Sequence, residues 1–178
     1  MWSAPVSPNQ PFSKQTKQDL KKVTHFLISE ADKLCTEICE IPNLCANSDE
    51  HLWKVDLKLP EIKDAKSGCL STNFDKKTCL PKIYRDLHSF QPYLEFLKES
   101  MPSNKNIIES LQIKSISLAN HVKQLEHNSS IDKVDTTPGT TVVDLKPKDT
   151  WSKNRTNYII LQSFKEYMEK TVRALRYI

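Results

Sequence analysis

Residues 68–87 read GCLSTNFDKKTCLPKIYRDL, and they mark the point where a long cysteine-bearing connection becomes a helix. Ile83 and Leu87 continue at Phe90, Leu94 and Leu97, the three- and four-residue steps of one helical face, and Pro81 is tolerated in a first turn. This second helix, B, therefore opens near Thr78. Pro92 removes a backbone donor midway, which predicts a bend there. Cys69 and Cys79 have nine residues between them, and Cys39 and Cys45 have five, so each pair can close a local loop. In the chain-entropy model each closure is worth roughly 2–3 kcal/mol. Zinc is the rival reading of these sulfurs. The spacing lacks a close Cys-x2-Cys pair and no histidine lies in register, so the disulfides 39–45 and 69–79 are preferred. Disulfides imply an oxidising compartment. Cys35, one helical turn before Cys39, is left over as an apolar or half-buried thiol.

Moving outward, three further segments carry helical periodicity. Helix A, Thr16 to Ile38, places Leu20, Val23, Leu27, Ala31, Leu34 and Ile38 on one face. Helix C begins after MPSN with Ser103 or Asn104 as its cap, repeats Ile108, Leu111, Leu118, Val122 and Leu125, and stops at Asn128. Helix D runs from about Ser152 to the end, with Leu161, Phe164, Met168, Val172 and Leu175 on its core side and basic residues in its last turns. Only two glycines occur, Gly68 and Gly139, which leaves little for hairpins. The B to C link is too short to run back along a helix roughly 30 Å long, so B and C are antiparallel. The A to B and C to D links, each ~20 or more residues, can travel the whole bundle. The expectation is an all-α, long-chain four-helix bundle, up-up-down-down, with two long overhand crossovers. Residues 16–178 form this single domain, and residues 1–15 are a flexible N-terminal segment.

Composition narrows function. The net charge of +4 arises from 26 basic and 22 acidic residues mixed along the chain, with no block to grip a phosphate backbone, so nucleic acid is not an expected partner. No apolar run approaches the ~20 residues of a membrane span, so membrane insertion is not expected either. The opening residues MWSAPVSPNQPFSKQ lack the pattern of a signal peptide, as a mature secreted form would. The five histidines are scattered, no nucleophile motif occurs, and no glycine-rich phosphate cradle is present, so no enzyme, metal or cofactor is expected. A small helical carrier binding an apolar ligand in the bundle core is the alternative. It calls for polar groups on the core stripes, where only Ser115 is found.

The stretches GCLSTNFDKKTCLPKI, YLEFLKES and above all YIILQSFKEYMEKTVRALRYI, with LKLPEIKDAKSGC and the two-pair cysteine framework, resemble the interleukin-6 family of long-chain four-helix cytokines. The likeness covers nearly the whole chain from Thr16, is weakest in helix C and the C to D crossover, and has no counterpart for Cys35. It implies a secreted, extracellular, glycosylated cytokine, a monomer when unbound. Such a protein binds a specific alpha receptor, then a shared signal-transducing receptor chain, and triggers JAK-STAT signalling in inflammatory, acute-phase and immune-cell responses.

The resemblance also implies surfaces, each set against a plainer reading of the same residues. Arg173 and Arg176 suit the helix dipole at ~0.3–1 kcal/mol, as any cation would. Two planar forks instead suit carboxylates on a partner. The resemblance puts both on the alpha-receptor surface with Glu169, Leu70 and Phe74. Phe26 is either a partly buried flank residue or, with Glu30, part of a second surface for the shared chain. Trp151 is either a lid over the bundle end or, with Leu57, the anchor of a third surface. The sequons at Asn128 and Asn154 are the candidate glycosylation sites.

Overall fold

The computed structural model of the protein describes residues 14–46, 56–125, 145 and 149–178; the C to D crossover at 126–144 and the segment 1–13 lie outside them. Among the described residues, five α-helices of ten residues or more correspond to the four predicted: α1 (Lys14–Ile38), α2 (Lys76–Ser89), α3 (Gln91–Ser100), α4 (Lys105–Leu125) and α5 (Thr150–Leu175). No strand occurs among the described residues. Contacts along the helices fix their directions. Asp32 pairs with Lys165 at 2.7 Å, while Leu20 and Val172 line one groove, so α1 and α5 are antiparallel. Phe26 faces Lys114 and Glu37 meets Asn104, so α1 and α4 are also antiparallel. Asp86 meets Tyr167 and Ser100 meets Asn157, which opposes α2–α3 to α5. Two helices therefore run up and two down, the arrangement expected from the link lengths.

Helix B breaks rather than bends. The break falls at Phe90, before Pro92, because the proline ring lacks a donor and crowds the carbonyl one turn back. Phe90 is wholly buried there and meets Phe164 and Tyr167 edge-on at 5.3 and 5.4 Å. Aromatic pairs favour that geometry. Neither Ser103 nor Asn104 caps helix C: a single 3₁₀ turn, Pro102–Asn104, feeds straight into α4, and the Asn104 amide donates to Glu37 at 3.1 Å. Helix D begins two residues earlier than expected because Asp149 accepts from the Ser152 amide at 2.7 Å and caps it. Helix A likewise begins at Lys14 rather than Thr16.

The stripes of B and C are buried as read. Helix D differs at its end, where Thr171 and Ala174 take the core positions and Val172 and Leu175 are only half-buried. Val23 in α1 is half-buried too. Ser115 is buried but bonds its own helix at the Leu111 carbonyl, so it needs no ligand to satisfy it.

Candidate functional site

The loop entering α2 is closed three ways. Cys69 and Cys79 form a disulfide, the Asp75 amide donates to the Gly68 carbonyl at 2.7 Å, and Asp75 caps α2 by accepting from the Lys77 amide and the Thr78 hydroxyl. Gly68 sits at φ +72°, and an added Cβ would lie 2.9 Å from the Asp75 carbonyl, so the turn is closed to other residues. Phe74 stands at the far end of this loop. Its ring lies 5.4 Å from that of Tyr177, just past the end of α5, where Arg173 and Arg176 are exposed. Leu70 and Phe74 are half-buried against the core. Loop and helix end, distant in sequence, thus form one aromatic and cationic patch. Glu169 sits one turn before Arg173, half-buried.

Tyr177 was not anticipated. It is 54% exposed, and a wheel of α5 alone cannot reveal its contact, because Phe74 comes from another element. Ile113, 70% exposed on α4, was also missed, though an apolar residue off the core stripe is a readable signal.

On the second face, the Lys114 ammonium lies 4.7 Å above the half-buried Phe26 ring, joining α4 to α1. Glu30, one turn on, pairs with Lys33 at 3.1 Å. At the opposite end of α5, Trp151 is 42% exposed. Leu57 is buried instead, and its carbonyl accepts the Tyr93 hydroxyl. Leu59 and Ile62 are buried as well, and Lys170 donates to the Ile62 carbonyl at 2.8 Å, so the crossover is strapped onto the bundle.

Cys39 and Cys45 form the second disulfide, around the buried Leu44. Arg155, 1% exposed, donates to the Leu44 carbonyl and stacks 5.3 Å from the Tyr158 ring, which docks that loop on α5. Cys35 is outside both disulfides and buried, with its sulfur 3.9 Å from Gln162 Oε1. Of the sequons, Asn154 is half-buried in the second turn of α5, and the buried Thr156 hydroxyl is bonded to the Ser152 carbonyl. Asn128 lies outside the described residues. Among the described residues no cluster of histidine, cysteine and carboxylate side chains could hold a metal ion, and no helix is long and apolar enough to cross a membrane.

Residues 4–178 match the model of the Interleukin-6/G-CSF/MGF family. The chain belongs to that family. Interleukin-6 of Gallus gallus is 34% identical over 162 residues, covering 90% of this chain and 67% of the relative. Interleukin-6 of Saimiri sciureus is 31% identical over 173 residues, 96% of this chain and 81% of the relative, and that of Sus scrofa 31% over 160 residues, 88% and 74%. Membership of the Interleukin-6/G-CSF/MGF family makes the protein a cytokine and not an enzyme. The four-helix bundle and the paired cysteines accord with that family.

Proposed function

We propose that this cytokine is secreted, binds a specific alpha receptor, and then recruits a shared signal-transducing chain whose engagement triggers JAK-STAT signalling. The observation that carries the reading is the composite patch of Phe74, Tyr177, Arg173 and Arg176, drawn from a disulfide-closed loop and a helix end. An exposed Tyr177 on a half-buried Phe74, beside two exposed guanidinium forks, is the composition of a binding hot spot. The alpha receptor binds here, with Leu70 and Glu169 at the margin. Phe26 and Glu30 form the second surface, which meets the shared chain. Trp151 anchors the third, with the buried Leu57 holding the crossover that flanks it.

Titration of the ectodomain of the alpha receptor tests the patch. Arg176→Ala and Arg176→Lys each weaken binding more than tenfold, about 1.4 kcal/mol, with melting temperature unchanged. Full affinity in the lysine variant would show that charge alone suffices. Full affinity in the alanine variant would move the surface elsewhere.

A further inference from the structure

Between the first turns of α1 and the last turn of α5 lies a groove of about 240 Å³ that shares only Arg176 with the three surfaces. Its floor is apolar, formed by Leu20, Val172 and Leu175, and the last two are the residues that leave the core at the end of α5. Its rim carries Lys17, Lys21 and Arg176, and among the described residues no carboxylate lines it. None of the three cations is in an ion pair among the described residues. Thr24 also borders the groove, but its hydroxyl is spent on the Leu20 and Lys21 carbonyls.

A recess with an apolar floor, a cationic rim and no acid suits an anion with an apolar tail. An apolar cavity of about 150 Å³ takes a benzene ring, so this one has room for a chain of medium length. We infer that the groove binds amphipathic carboxylates of the medium-chain fatty-acid type. The carboxylate sits among Lys17, Lys21 and Arg176, and the chain lies over Leu20, Val172 and Leu175. Arg176 also borders the surface proposed for the alpha receptor, so an occupied groove holds this side chain away from that partner. The binding test itself does not depend on that reading.

Amide chemical shifts of the labelled protein, titrated with hexanoate, octanoate and decanoate below their micelle concentrations, test the inference. Saturable shifts are expected at residues 17–24 and 172–176, with affinity rising about fourfold per methylene until the groove is full. Decyltrimethylammonium, the same chain with the opposite charge, binds at least tenfold more weakly than decanoate. Lys17→Gln with Lys21→Gln changes two exposed side chains, leaves the melting temperature in place and weakens octanoate more than tenfold. The inference is overturned by an absence of saturable shifts, by shifts centred elsewhere, by equal binding of the cationic chain, or by unchanged affinity in the double variant.

Discussion

Asp86 shows how much one buried residue can hold. Its carboxylate accepts from the Tyr167 hydroxyl at 2.8 Å and pairs with Lys82 at 2.6 Å, tying α2 to α5 inside the bundle. A buried carboxylate without such partners would be strongly destabilising. Burial, then the Asp86 charge and hydrogen bond, push the Tyr167 phenol well above its ordinary range. The folded state therefore keeps this proton more tightly than the unfolded chain does. The resulting stabilisation is complete below about pH 10, the unfolded value, and is lost as pH rises toward the folded one. Tyr167→Phe should cost about 2 kcal/mol near neutral pH, because it strips a hydrogen bond from a charged group. It should also flatten the alkaline decline, and denaturant unfolding at pH 7 and pH 10.5 measures both effects. None of this is legible in sequence. Tyr167 reads as one more residue beside the Phe164 and Met168 stripe, and its partner is 81 residues away.

At the scale of elements, most of the architecture is readable, because helical stripes and link lengths are local properties. The exceptions are informative. Pro92 announces a disturbance, yet the break forms at Phe90, since a proline disrupts the turn before it and a buried aromatic fixes the place. The start of helix D is missed by two residues because Asp149, its cap, lies in a polar run with several candidate caps. The loop of 69–79 is the element that ties the fold to the proposed alpha-receptor surface. Gly68→Ala forces a Cβ into a left-handed conformation and against the Asp75 carbonyl, and should cost at least about 1–2 kcal/mol in chemical denaturation. Replacing Cys69 and Cys79 by serine should cost roughly 2–3 kcal/mol. It should also weaken alpha-receptor binding more than tenfold, because Phe74 loses its fixed place beside Tyr177. Replacing Cys39 and Cys45 removes a loop at another part of the chain and should leave that affinity within a few-fold, a contrast that titration at a temperature where both variants are folded reads directly.

For the whole molecule, the arrangement keeps the three proposed surfaces apart. The Phe74 and Tyr177 patch lies at the C-terminal end of α5, Trp151 at its N-terminal end, and Phe26 on the α1–α4 face. A helix of 26 residues spans about 39 Å, so the two ends of α5 can serve different partners without contact between them. Arg173, Arg176 and Trp151 could be singled out from sequence because they lie off the core stripes and the resemblance gives them a task. Tyr177 could not, since only the folded chain brings it to Phe74. Trp151→Ala should leave alpha-receptor affinity within twofold and abolish signalling in receptor-bearing cells, with melting temperature unchanged. A matching loss of stability and of all binding would make Trp151 a structural residue instead. The account as a whole turns on ordered assembly, and sedimentation of the protein with the soluble alpha receptor and the soluble shared chain measures it. The expected result is a complex with the alpha receptor alone, none with the shared chain alone, and a larger assembly when all three are mixed. A folded protein that binds the shared chain without the alpha receptor, or binds neither, would contradict the account.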